Sequence, residues 1–140
     1  MRSARFSGAH GNDEANNATL LRRLRGVPRR KRRARYVCVL ALANRDRVIA
    51  LARGIWSGRI AEAPAGRNGF GYDPIFVVPR YGKTVGELAA GVKRRLSHRA
   101  RAASMLALKL TRLRIATAVA AGRGSRDSTR ARRSRAARLG

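Results

Sequence analysis

The stretch Arg35-Tyr-Val-Cys-Val-Leu-Ala-Leu-Ala43 constrains the fold of this chain more than any other feature. It is a near-continuous β-prone run, and such a run reads as a buried strand. Its apolar part, Val37 to Ala43, spans seven residues, far below the ~20 that cross a bilayer as a helix. Asn44-Arg-Asp46 supplies a turn and Arg47-Val-Ile-Ala-Leu-Ala-Arg53 returns, so a β-hairpin is expected. Gly54 to Ile60 reads as a further short strand carrying Trp56, and Ile75 to Val78 as another.

Helical signals flank these strands. Between His10 and Pro28, Asn12 or Asp13 can cap a first turn. Ala18, Leu21 and Leu24 then repeat along one face, and Gly26 and Pro28 stand where a helix stops. Arg22, Arg23 and Arg25 suit the negative end of its dipole. Thr84-Val-Gly-Glu87 has the form of a capping box before Leu88. A second helix is expected from Ser97, with Ala100, Ala103, Leu106 or Ala107, and Leu110 facing inward. The ordered part therefore mixes antiparallel strands with helices, an α/β or α+β class. Its expected extent is 1–110, followed by a basic tail over 111–140 without apolar period, read as disordered.

Charge narrows the function classes. The 140 residues hold 33 Lys+Arg against 7 Asp+Glu, a formal charge of +26, which suggests polyanionic partners. Arginine outnumbers lysine 29 to 4, so part of the charge reads as compositional drift. Nine basic residues fall between Arg22 and Arg35 and nine between Arg112 and Arg138. Two readings stand side by side: solvated faces with a tail, or an Arg-rich nucleic-acid-binding module. The single cysteine, Cys38, excludes an intramolecular disulfide and sits mid-strand as a core residue. The N-terminal residues show no apolar signal segment, and a reducing, cytoplasmic setting is expected. His10 reads as a surface residue.

Two constellations carry chemistry. In Gly69-Phe-Gly-Tyr-Asp-Pro74, glycines on either side of Phe70 let the backbone approach a ligand while an aromatic face is presented. Asp73, the acid of that loop, can accept hydrogen bonds from a purine edge or support a metal. A strand-entry turn with Phe70 and Tyr72 packed in the core explains the same pattern. In Lys93…Ser97-His-Arg99, Ser97 can cap a helix and place His98 and Arg99 in its first turn, where anionic or electron-rich groups bind. Lys93 would add a mobile point charge and Arg99 a planar fork. A surface helix start in an Arg-rich chain is the plainer reading.

In order along the chain, Ser3-Ala-Arg-Phe-Ser-Gly8, Gly11-Asn-Asp-Glu-Ala-Asn-Asn17, Arg35-Tyr-Val-Cys-Val-Leu40, Gly69-Phe-Gly-Tyr-Asp-Pro-Ile-Phe76, Gly82-Lys-Thr84 and Lys93…Ser97-His-Arg-Ala100 resemble the inosine/xanthosine triphosphatase family. The resemblance implies a mixed, largely antiparallel sheet with flanking helices. It implies hydrolysis of the purine nucleoside triphosphates ITP, dITP or XTP to monophosphate and pyrophosphate with Mg²⁺, in a homodimer. It further implies that Phe70, Gly71, Tyr72 and Asp73 form the base-side pocket while Lys93, His98 and Arg99 read a 6-oxopurine. The family's Ser/Thr-x-Asn-x-x-Lys phosphate loop and Asp-Asp-Ser-Gly segment do not occur in the chain. The expectation is thus an incomplete, C-terminal part of the fold, with no catalytic or metal-binding residue named. Asp13, Glu14 and Asp73 are the candidates should a catalytic carboxylate exist. Without further strands, Val37–Ala43 would carry an unpaired edge.

Overall fold

The computed structural model describes residues 5–8 and 11–114. His10 and residues 115–140 of the tail expected over 111–140 lie outside the described residues. Helix α1 (Asp13–Arg23) is followed by β1 (Arg33–Ala43), β2 (Val48–Ile60), β3 (Phe76–Val78), β4 (Lys83–Thr84) and α2 (Ala90–Leu96). A further helix, α3, covers 98–114, so helical structure runs through the boundary expected at 110. The four strands form one antiparallel sheet in the order β1-β2-β3-β4. No helix is long and apolar enough to cross a membrane among the described residues.

The hairpin forms as its sequence predicts, but β1 is not buried on both faces. Its residues alternate between exposed and half-buried, because it is the sheet's edge strand among the described residues and only one face is covered. The covered face carries Ala34, Tyr36, Cys38 and Leu40; Val37 and Val39 stay exposed. Cys38 is accordingly half-buried rather than deep in the core. In the turn, the Asn44 side chain accepts the N–H groups of Asp46 and Arg47.

The return arm is one strand of 13 residues, not two short ones broken at Gly54. Glycine in a strand interior marks close approach as often as a break, and both glycines of β2 do so. A Cβ at Gly54 would collide with the backbone of α3 at His98 and Ala102, and one at Gly58 with the Phe76 ring. Between them Trp56 stands opposite Tyr36. Trp56, Ile60, Ile75, Phe76, Val78, Val85 and Leu88 make the core, against which Leu20, Leu21 and Leu24 of α1 pack.

Three helical expectations change. Asn12 caps α1 by accepting the Ala15 N–H, but Ala18 is exposed and the inward face holds Asn16 and Asn17. Hydrogen bonds support this polar burial in part: Asn16 accepts the Ser7 N–H and Asn17 donates to the Gly71 carbonyl, while the Asn17 Oδ1 has no partner among the described residues. The Thr84–Glu87 capping box is present, yet it heads a 3-10 turn, Val85–Glu87. The α2 helix precedes Ser97, and α3 buries Ala102 in place of Ala103, with Leu106 and Leu110 half-buried one and two turns on.

Arg32 ties α1 to the sheet. It is 7% exposed, and its guanidinium donates to the carbonyls of Leu24, Val27 and Ala61. Leu24 is the C-cap of α1, where a cation meets the negative end of the helix dipole.

Candidate functional site

The site is assembled where the loop between β2 and β3 meets the first turns of α1 and α3. That loop is fastened at several backbone points. The N–H of Ala65 donates to Pro74 and that of Asn68 to Gly86. A Cβ at Gly66 would strike the Gly86 peptide. Gly69 and Gly71 both have positive φ, 97° and 61°, a region L side chains rarely enter. Gly69 is excluded from any larger residue twice over, since a Cβ there would run into Asp73 and Lys93.

Asp73 organises the loop. It is 6% exposed, and one carboxylate oxygen accepts the Tyr36 hydroxyl at 3.2 Å. The other accepts the Phe70 N–H at 3.1 Å and the Lys93 ammonium at 2.5 Å. Asp73 therefore faces internal donors rather than standing open to a base edge, and Lys93 is an ion-paired strut rather than a mobile charge. Burial, and then the Asp73 carboxylate, hold the Tyr36 hydroxyl well above its usual range, so Tyr36 is a permanent donor here.

The next residue of the loop is pinned from α1. The Gly71 N–H donates to Asp13 at 2.6 Å, and the Gly71 carbonyl accepts from Asn17 at 3.0 Å. The result presents Phe70, 58% exposed, with the Arg99 guanidinium 4.8 Å and the Lys93 ammonium 5.2 Å from its ring centre. Cations at an aromatic face are held by its quadrupole.

From the other side, Ser97 accepts the Ala100 N–H and so caps α3 as its position in the sequence predicts. His98 and Arg99 occupy the first turn. His98 stacks on Tyr36 at 4.9 Å, and Tyr36 stacks in turn on Phe76 at 4.2 Å. The Nδ1 atom of His98 is buried without a hydrogen-bond partner among the described residues.

These groups enclose a cleft of about 300 Å³. Six of the seven residues singled out in the sequence line it, namely Phe70, Gly71, Tyr72, Asp73, His98 and Arg99, and Asp13 and Tyr36 join them. Lys93 stands behind the wall through Asp73. A larger concavity of about 550 Å³ beside α1 is lined by Leu21, Arg22, Arg25 and Glu62 among others, but no aromatic face lines it. Sequence reasoning did not single out Tyr36 as part of the site. The signal was its place on the covered face of β1, in step with Ala34 and Cys38.

Burial, reinforced by Arg99 and Lys93 and opposed by Asp73, lowers the His98 pKa from its usual value. The imidazole is then neutral at pH 7. A pKa lower in the folded than in the unfolded chain gives stability that is complete above the unfolded value of about 6.5 and lost as pH falls from there toward the folded value. Urea midpoints measured from pH 7.5 down to 5 should decline across that window, and His98→Gln should flatten the decline.

The resemblance implies Mg²⁺, and the acids of the site test that implication. Asp73 is committed to three protein donors and Asp13 to the Gly71 N–H. No three of His, Cys, Asp or Glu come together among the described residues. These residues do not fit a metal's ligand set, and no step is derived through one.

Known proteins resemble the chain in sequence and in fold. The model of the Ham1 family matches residues 1–109. The chain is 54% identical over 104 residues to the dITP/XTP pyrophosphatase of Shouchella clausii, covering 74% of this chain and 52% of that protein. With the protein of the same name from Rhodopirellula baltica it shares 53% over 112 residues, 79% of this chain and 54% of that one. The Ham1 protein of Staphylococcus aureus superposes with a TM-score of 0.73 at 41% identity, over 78% of this chain and 56% of that one. The nucleoside-triphosphatase / dITP/XTP pyrophosphatase of Mycobacterium abscessus gives 0.66 at 46% identity, over 74% of this chain and 53% of that one. The chain thus spans about half the length of the curated relatives it matches. With the family model matched over most of its length, and relatives and solved structures this similar, the chain belongs to the Ham1 family.

Proposed function

We propose that this chain carries the base-recognition part of a nucleoside triphosphate pyrophosphatase acting on ITP, dITP or XTP. The observation that carries the reading is the convergence of Phe70, Tyr36, His98 and Arg99 on one cleft. Aromatic faces supply stacking worth about 1–3 kcal/mol per base. Arg99 supplies a donor fork that a purine carbonyl at C6 can accept, whereas an adenine amino group would oppose donor with donor. His98, neutral at pH 7, lines the same cleft beside Arg99.

In this division of labour Asp73 and Lys93 position the loop, Asp13 and Asn17 hold Gly71, and Phe70 covers the base. Hydrolysis to monophosphate and pyrophosphate belongs to the whole enzyme, and the substrates rest on the names of the relatives; a homodimeric assembly and a cytoplasmic location rest on the family resemblance. Arg99→Ala tests the reading: calorimetric titration with IMP should show affinity reduced tenfold or more, with the urea midpoint unchanged because Arg99 is exposed. Unaltered IMP affinity would remove Arg99 from the site.

A further inference from the structure

On the face of the hairpin opposite the base cleft, β1 and β2 place like charges against each other. Arg33 pairs directly with Arg59, and Arg35 with Ser57. Side chains two apart on a strand share a face, so Arg33, Arg35, Ser57 and Arg59 stand on the face away from Tyr36 and Trp56. Arg29 and Arg30, from the 3-10 turn Arg29–Lys31, close one end. Two adjoining hollows result, of about 320 and 450 Å³, which share Arg33, Ser57 and Gly58. No carboxylate lines either hollow, and none of these arginines is in an ion pair among the described residues.

Like charges directly opposite on a sheet oppose folding. A groove of arginines without an acid among the described residues therefore offers an external anion several unpaired guanidinium groups. Guanidinium forks match phosphate oxygens in particular. Arg33 and Arg35 stand about 6.6 Å apart along the strand, so the groove offers successive contacts rather than one. No aromatic side chain lines it, and single-stranded nucleic acids are held largely by aromatic stacking. Contacts that position a protein on phosphates alone suit a duplex, whose bases are turned inward.

We propose that this groove binds the phosphate backbone of double-stranded nucleic acid without reading its sequence, on the sheet face opposite the base cleft. Each phosphate neutralised contributes about 0.9 to the slope of log affinity against log salt. In the full chain, the quadruple variant Arg29→Ala, Arg30→Ala, Arg33→Ala, Arg59→Ala should lower that slope by about 3 to 4 for duplex DNA. A charge-matched control, Arg22→Ala, Arg25→Ala, Arg94→Ala, Arg95→Ala, should lower it by much less. The conservative set with lysine at positions 29, 30, 33 and 59 should keep most of the slope, which separates lost contacts from lost folding. Equal losses in the alanine set and the control would overturn the proposal, because charge alone would then explain binding. So would displacement of the duplex by micromolar inorganic pyrophosphate, the result of a small-anion site. IMP affinity should be the same in the quadruple variant, so failure here leaves the base cleft untouched.

Discussion

Asp73→Ala should abolish measurable IMP binding and cost about 3 kcal/mol of stability, the low end for breaking a buried charge pair. The low end applies because the Lys93 side chain is a quarter exposed while that of Asp73 is 9% exposed. Three donors lose their acceptor at once: the Tyr36 hydroxyl, the Phe70 N–H and the Lys93 ammonium. Tyr36 and Lys93 come from a strand and a helix distant in sequence, so the loop loses the anchor that holds Phe70 over the cleft. For a domain of this size the melting temperature should fall by roughly 12 °C or more. Asp73→Asn separates charge from shape. It keeps an acceptor for Phe70 or Tyr36 but cannot balance the ammonium, so it should fold better than the alanine variant and still bind IMP poorly. An alanine variant that binds IMP normally would mean that the loop is held some other way.

The second large effect is expected at a position that does not itself line the cleft. Gly54→Val puts a branched side chain where a Cβ alone would overlap the backbone of α3 at His98 and Ala102. Neither atom belongs to a flexible side chain, so the helix itself must move. A loss at or above the usual 1–3 kcal/mol of overpacking follows. The helix that moves carries His98 and Arg99, and IMP affinity should fall with stability. Gly91→Ala provides the contrast. Gly91 lies in α2 with nothing within 4 Å of its would-be Cβ, so alanine there should be neutral or stabilising by up to about 1 kcal/mol. Urea denaturation of the two variants beside the parent chain decides the matter.

These two residues also explain what could and could not be read from the sequence. Phe70 to Asp73 and Ser97 to Arg99 announce themselves locally. Glycines on both sides of an aromatic, and a hydroxyl before a helix, have short-range physical meanings that survive folding, and positive φ at Gly69 and Gly71 with the Ser97 cap bear them out. The partnership between the two motifs was not local. Asp73 looked open to a ligand until Tyr36 and Lys93 were placed beside it, and no spacing rule connects positions 36, 73 and 93. Gly54 was misread for the same reason. A glycine that breaks a strand and one that admits a helix backbone look alike until the helix is located. Burial of β1 was overestimated because a run such as Val37–Ala43 is apolar whether one face or both are covered. Asn16 and Asn17 stood outside the apolar pattern, since their burial depends on partners at Ser7 and Gly71.

The central claim is that the cleft distinguishes a 6-oxopurine from a 6-aminopurine through donors at Arg99. Its most direct test is calorimetric titration of the full chain at pH 7.5 with IMP and, separately, with AMP. IMP should bind at least tenfold more tightly than AMP, since the amino group leaves donors facing donors. Equal affinity for the two nucleotides, or tighter binding of AMP, would contradict the account.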